Sequence, residues 1–184
     1  MEKNNVPQPK NNSLAAQLVC LYKIFKDHKF FEPCNFDLSD IDWFCPLLIL
    51  PLSAHINYYN SELCQDKNKN NHSYLDAISF PRGVDSVSIF QQQTQAHKSY
   101  IPISILKKEK GPERERLESM FSMMIYNVLG SVAGAQNAVY YPITELLTNI
   151  FDHSKQDKGF IFGQFYPKKN YLPKRQNWLG ERLK

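Results

Sequence analysis

Residues 139–154 constrain the fold of this chain more than any other segment, because their side chains divide into one polar and one apolar set. In an α-helix each residue turns by about 100°, so with Glu145 at zero Asn149 falls at about +40° and Asp152 at about −20°. Ile143, Leu146, Leu147, Ile150 and Phe151 fall on the opposite side, between about 100° and 240°. Such a helix buries one face against another layer. The pattern therefore predicts a packed helix over residues 143–152, with Pro142 near its start.

The polar face of this helix groups two carboxylates and an amide, which together suit a magnesium–nucleotide complex. Mg²⁺ prefers oxygen ligands and keeps several waters, so one or two protein oxygens beside the phosphates are enough. The Asn149 carbonyl fits that role, and Glu145, one turn away, can orient or deprotonate an attacking water. A second carboxylate, Asp152, can accept a hydrogen bond from an exocyclic amine. The alternative is a solvated polar face that binds no ligand.

The same residues resemble a known motif. Residues 145–154, ELLTNIFDHS, look like the N-box helix of the GHKL ATPases, which include gyrase-type topoisomerases, histidine kinases and bacterial anti-sigma kinases. The N-box pattern is Glu-x-x-x-Asn, often with Asp three residues on or His four residues on. The resemblance implies that Glu145 polarises the hydrolytic water or helps to activate a phosphoacceptor. It also implies that Asn149 binds Mg²⁺ and that Asp152 or His153 lies near ATP.

The residues after this helix extend the resemblance and then depart from it. Residues 159–166, GFIFGQFY, fit the family's next strand, and residues 168–170, KKN, fit a hairpin turn. The family then has an Asp-x-Gly-x-Gly motif and a Gly-rich phosphate lid. Residues 171–184 contain neither, and the whole chain has only seven glycines. We therefore expect the front half of a GHKL domain, cut short by truncation or a shifted reading frame, with weak or absent ATP binding.

The N-terminal half carries a second, shorter resemblance. Residues 36–46, FDLSDIDWFCP, followed by an apolar helix, look like a strand and helix of a STAS-like domain. Such modules precede GHKL domains in some bacterial signalling proteins. The expected fold is α/β, a small STAS-like sheet-and-helix unit followed by a helix pair and strand of a partial GHKL sandwich. Residues 1–12 are expected to be a disordered tail, residues 13–108 the STAS-like domain and residues 109–184 the partial GHKL domain.

Local patterns predict the remaining helices. Ser13 is a candidate N-cap for a helix that ends near residue 27 or 28. Its expected core stripe consists of Leu14, Leu18, Leu21, Tyr22 and Phe25. Pro46 opens a second helix that runs to residue 59, with a kink or a break expected at Pro51. A third follows Gly111 and is capped near Gly130; its apolar stripe is Leu117, Met120, Phe121, Met124, Ile125 and Val128.

Short patterns predict the strands and loops. Residues 35–44 read as a strand with a bend, and residues 86–90 and 100–106 as two further strands. Pro102 places the last of these at a sheet edge. Residues 65–73 read as a polar loop.

Composition excludes several classes of protein. The longest apolar stretch, residues 44–56, is interrupted by prolines and polar residues, so no transmembrane segment is predicted. The polar N-terminus lacks a signal core, which favours a cytoplasmic protein. The four cysteines form no Cys-x-x-Cys pair, and we expect them to be small buried apolar groups.

Two functions follow from these observations. The first is a bacterial signalling protein of the GHKL type, an ATPase or protein kinase that uses Mg²⁺ and ATP, whose nucleotide site is incomplete in this chain. The second is a non-enzymatic, STAS-like module that binds a protein partner. A third interpretation, nucleic-acid binding through the basic residues 154–184, which carry a net charge of +6 and several aromatic rings, is placed below these two because such an end is more often a solvated tail. No membrane partner is expected. The oligomeric state stays open.

Overall fold

The computed structural model describes residues 3–11, 13–26, 32–42, 44–64, 72–85, 100–109, 111–129 and 134–164. Within them the chain is mixed α/β, as the sequence predicts. Several predicted features lie outside the described residues: the strand at 86–90, the cap at Gly130, the turn at 168–170 and the basic end of the chain. No helix among the described residues combines the length and the apolarity needed to cross a bilayer.

The N-terminal half forms a parallel sheet. Its strands β1 (Lys3–Asn5), β2 (Asn35–Asp37) and β3 (Glu62–Cys64) lie side by side in chain order. Helix α1 (Leu14–Lys26) connects β1 to β2, and helix α2 (Pro46–Tyr59) connects β2 to β3. A short helix, α3 (His72–Ala77), follows. Neither β3 nor α3 is predicted from the sequence, and both are too short to show a period.

The expectation of a disordered tail over residues 1–12 is wrong, because β1 lies inside it. Asn4 and Val6 are buried. The Asn4 side chain donates from Nδ2 to the Ile24 carbonyl at 3.1 Å, and the Val6 amide donates to the Asp37 carbonyl at 3.0 Å. A polar segment can therefore join the sheet because its buried amides find partners.

Helix α1 begins where predicted but turns a different face to the core. The Ser13 hydroxyl oxygen accepts a hydrogen bond from the Ala16 amide at 3.3 Å, which confirms the N-cap. The predicted core stripe is partly wrong, since Leu14, Leu18 and Tyr22 are exposed. The buried side chains are Cys20 and Ile24, with Leu21 and Phe25 partly buried beside them.

Helix α2 starts at Pro46, as predicted, and runs unbroken through Pro51 to Tyr59. Pro51 has no N–H to bond to the carbonyl one turn back, so the helix lacks one hydrogen bond there. The preceding strand is shorter than the predicted 35–44, because the chain turns after Asp37. There the Asp37 carboxylate accepts hydrogen bonds from both the amide and the hydroxyl of Ser39, at 2.9 and 2.6 Å.

The C-terminal half is a strand pair with two helices between its strands. Strands β4 (Tyr100–Lys107) and β5 (Lys158–Gln164) are antiparallel, and α4 (Pro112–Leu129) and α5 (Ala135–Ser154) connect them. The predicted helix over 143–152 and the predicted strand at 100–106 are confirmed. The pairing register of β4 and β5 shifts between Ile101 and Ser104, around Pro102, as expected of a proline in a strand. The expected domain boundary at residue 108 falls between these two paired strands.

Strand β5 contributes side chains to two hydrophobic cores. Phe160 and Phe162 pack against the first core, which includes Phe36, whereas Ile161 packs against the second. The second core consists of Val84, Ile101, Leu106, Phe121, Leu147 and Phe151. Because alternate strand residues point to opposite faces, this strand separates the N-terminal sheet and helices from the α4–α5 pair.

Candidate functional site

The predicted site residues lie together on the outer face of α5. Glu145, Asp152 and His153 are exposed, and Asn149 is half-buried. Asn149 donates from Nδ2 to the Glu145 carboxylate oxygen Oε1 at 3.3 Å. The donor is the amide nitrogen, so the carbonyl Oδ1 is the atom that suits a metal. The structure thus brings Glu145 and Asn149 into contact and places Asp152 one turn further along the same face.

The inner face of α5 fixes this orientation. Leu147 and Phe151 are 2% and 4% exposed, and Ile150 packs beside them. The prediction that Leu146 belongs to the buried face is wrong, since Leu146 is 63% exposed. The buried sector is centred near Leu147 and Phe151, at about 200–240° from Glu145, so a residue at about 100° lies outside it. The Ile143 side chain is outside the described residues.

A glycine allows α5 to approach β5 closely. A Cβ atom on Gly159 would lie 2.8 Å from Ile150 Cγ2 and 3.2 Å from Phe151 Cζ. Real Cβ atoms do not come that close to a neighbour, so a side chain here would push the helix away. Gly159 therefore helps to position the helix that carries the polar face.

A buried arginine, Arg114, also contacts α5. The Arg114 guanidinium carbon lies 4.6 Å from the centre of the Phe151 ring. Its nitrogens donate to the Glu118 carboxylate at 2.8 Å and to the Lys107 and Lys108 carbonyls at 3.3 and 3.1 Å. This arginine links the end of β4, α4 and α5. Its pairing with Glu118 has the i, i+4 spacing of a helical ion pair, but its contacts with the Lys107 and Lys108 carbonyls and with the Phe151 ring could not be predicted from the sequence.

Helix α5 is longer than predicted at its start. It begins at Ala135, after Gly134 in the left-handed region at φ 80°, so Pro142 lies inside the helix rather than in its first turn. The polar residues occupy the last three turns. The helix ends at Ser154, and its C-cap residue Lys155 is also left-handed at φ 55°.

The chemistry open to this face is that of oxygen ligands and a general base. Among the described residues, no group of three or more His, Cys, Asp and Glu lies close enough to hold a metal by side chains alone. A Mg²⁺ ion at Asn149 would thus need phosphate oxygens and water for most of its shell. Within the sequence there is no Asp-x-Gly-x-Gly motif to bind a base.

The cysteines offer little alternative chemistry. Cys20, Cys34 and Cys45 are buried as expected, but Cys64 is exposed. Burial raises the pKa of the three buried thiols, which keeps them protonated and poorly nucleophilic.

Sequence reasoning missed an aromatic cavity beside α2. It is lined in part by His55, Tyr58 and Tyr59, whose i, i+3 and i+4 spacing places them on one helix face. That spacing was a readable signal, but the partner rings come from distant parts of the chain.

No family model, curated protein or solved structure matches this chain.

Proposed function

We propose that this chain carries the magnesium-binding half of a GHKL-type nucleotide site, in a bacterial signalling protein of the ATPase or kinase class. The observation that carries the proposal is the contact between Asn149 and Glu145, 3.3 Å apart on the outer face of α5. In this proposal the Asn149 carbonyl binds Mg²⁺ and the Glu145 carboxylate orients a water or activates a phosphoacceptor. Asp152 or His153 lies near the nucleotide.

The burial pattern supports a ligand role over a purely structural one. Leu147 and Phe151 anchor the helix from its inner side, so the outer residues are not needed for packing. Glu145 accepts from Asn149, yet both side chains remain accessible. A preorganised amide and carboxylate at the surface can bind a metal–phosphate group without rearranging the core.

Affinity for ATP should be low. The missing Asp-x-Gly-x-Gly motif and Gly-rich lid would supply the backbone amides that bind phosphates. With one or two metal oxygens only, we expect a dissociation constant in the millimolar range, about −4 kcal/mol. Turnover by this chain alone should be undetectable.

Calorimetric titration with Mg²⁺–ATP tests the proposal. Asn149→Ala should abolish the binding, whereas Asn137→Ala should leave it unchanged, because Asn137 is an exposed asparagine of the same helix turned by about 120° from Asn149. Equal affinities for the two variants, or no binding by the unmodified chain, would contradict the proposal.

The second candidate is a non-enzymatic, STAS-like module that binds a protein. It is favoured by the outer face of α1, where Leu14, Leu18, Val19 and Tyr22 are between 47% and 68% exposed. Apolar side chains grouped in this way are common at interaction surfaces. Failure to bind Mg²⁺–ATP, together with a partner interaction that Leu18→Lys removes, would favour this candidate.

A further inference from the structure

A cavity of about 230 Å³ lies where α1, α2 and the turn after α5 meet. Phe25 comes from the last turn of α1, and Ala54, His55, Tyr58 and Tyr59 come from the second half of α2. Pro51 of α2 and Gln156, in the turn between α5 and β5, also line the cavity. None of these residues belongs to the polar face of α5.

The rings around the cavity are held in place by their neighbours. His55 is 5% exposed, and its Nδ1 lies 3.0 Å from the Ser61 hydroxyl oxygen. The Tyr58 hydroxyl donates to the Lys158 carbonyl of β5. Ring centres are 5.8 Å apart for Phe25 and His55 and 4.8 Å apart for His55 and Tyr59. The aromatic wall is therefore preorganised, and a ligand would not have to order it.

The lining selects against ions. Among the residues that the structure describes, no Lys, Arg, Asp or Glu lines the cavity, and transfer of a charge into an apolar site without a partner is costly. Burial, and secondarily the carboxylate of Asp157, raise the pKa of Tyr58, so that phenol also stays neutral. The surroundings favour an uncharged, flat ligand that can stack on aromatic rings.

The size of the cavity further restricts the class of ligand that fits. A cavity of about 150 Å³ lined by apolar side chains binds benzene. The present cavity is larger by roughly half, which suits two fused rings. Polar groups are few, so a ring system with a single N–H fits better than a purine with several acceptors. The Gln156 side-chain carbonyl at the rim can accept that N–H.

We infer that this cavity binds an uncharged fused-ring aromatic group of the indole class, stacked against Phe25, His55 and Tyr59. The group could be free indole or the side chain of a tryptophan in a peptide. This cavity and the proposed nucleotide site share no residue, so one can bind its ligand even if the other does not.

Binding to the full ¹⁵N-labelled chain can be followed by NMR with three probes, indole, N-acetyltryptophanamide and adenine. Indole should bind with a dissociation constant of about 0.1–1 mM and shift the amides of residues 54–59 and 156. If N-acetyltryptophanamide binds more tightly than indole, the source is a peptide tryptophan; the reverse order points to the free compound. Tighter binding of adenine, or no shifts with either indole probe, would overturn the inference.

Two variants localise the site. Ala54→Leu fills the cavity and should weaken indole binding at least about tenfold, a factor worth about 1.4 kcal/mol. Ala15→Leu is the matched control on the exposed side of α1 and should have no effect. Unchanged binding by a folded Ala54→Leu variant would overturn the inference.

A surface substitution provides a test that does not depend on core packing. Gln156 is exposed, so Gln156→Leu should not affect folding. It should weaken binding of indole but not of 1-methylindole, which has no N–H to donate. Equal losses for the two compounds, or no loss for either, would contradict the assigned orientation of the ligand.

Discussion

Helices α1 and α5 both bury one side and expose the other, but α5 exposes a carboxylate–amide face beside its exposed apolar residues, and α1 has no such face. The outer face of α5 carries Glu145, Asn149 and Asp152, whereas the outer face of α1 carries Leu14 and Leu18. Helix α5 is therefore amphipathic in the ordinary sense. Helix α1 is apolar on nearly all sides, a pattern more typical of helices that are fully covered.

The positions of polar side chains explain which face of each helix is buried. In α5 the carboxylates and the amide are costly to bury, so they fix the outer side and leave Leu147 and Phe151 inside. In α1 the only charged side chains are Lys23 and Lys26, both in its last turn. Contacts with the rest of the molecule, including the Asn4 hydrogen bond to the Ile24 carbonyl, then decide which of several apolar stripes is buried.

The largest expected change in stability comes from substitutions on the two sides of α5. Leu147→Ala should lower the free energy of unfolding by about 2–5 kcal/mol, because it opens a cavity in the second core. Its neighbour Leu146, which is 63% exposed, provides the control, and Leu146→Ala should change stability by less than about 0.5 kcal/mol. Urea unfolding measures both. Similar losses at the two positions would mean that α5 is rotated from the orientation described.

A second contrast tests how closely α5 approaches β5. Gly159→Ala should cost about 1–3 kcal/mol through overpacking against Ile150 and Phe151. Gly163→Ala, in the same strand, should cost less, because its Cβ would have its nearest neighbour at 3.6 Å. Thermal unfolding of the two variants compares them directly. If Gly163→Ala is as unstable as Gly159→Ala, the loss of stability comes from a change in strand propensity and not from a clash with α5.

The start of α1 should depend on its cap. Ser13→Ala removes the acceptor of the Ala16 amide and should cost about 1 kcal/mol. Ser13→Asp keeps an acceptor and should retain most of the stability. Chemical unfolding followed by circular dichroism measures the difference, and equal stability of the Ala and Asp variants would contradict the capping role.

The smallest effects should come from the two outer faces. Leu18→Gln on α1 and Asn149→Ala on α5 should each change the free energy of unfolding by less than about 0.5 kcal/mol. A cost above 1 kcal/mol for Leu18→Gln, in the range of a core substitution, would indicate that its side chain is buried in solution. The same comparison by urea unfolding separates a structural from a ligand-binding role for Asn149.

The sequence predicted those parts of the fold in which residue types and periodicity agree. The 3.6-residue pattern and the charged face identified α5, and the short isoleucine-rich run at residues 100–106 identified β4. Burial of Leu146 was predicted wrongly because a helical wheel does not define the width of the buried sector. Strand β1 was missed because its sequence, Lys-Asn-Asn, has no apolar residue; its place in the sheet depends on hydrogen bonds to residues far along the chain.

In the candidate site, too, some features follow from local spacing and others depend on tertiary contacts. The residues Glu145, Asn149 and Asp152 could be read from their spacing alone, since one helix carries all three. Gly159 and Arg114 could not, because their roles depend on how α5 meets β5 and α4. The aromatic cavity joins Phe25 to α2 and to Gln156, which are distant in sequence, so only the folded chain reveals it.

The inner face of α5 packs against the second core, and we propose that its outer face binds Mg²⁺–ATP. An NMR titration of the ¹⁵N-labelled chain with Mg²⁺–ATP tests it most directly, carried out on the unmodified protein, Asn149→Ala and Asn137→Ala. We predict shifts for residues 145, 149, 152 and 153 in the unmodified protein and in Asn137→Ala, with half-saturation in the millimolar range, and no shifts in Asn149→Ala. Shifts that are the same in all three proteins, or that are absent from α5, would contradict the account.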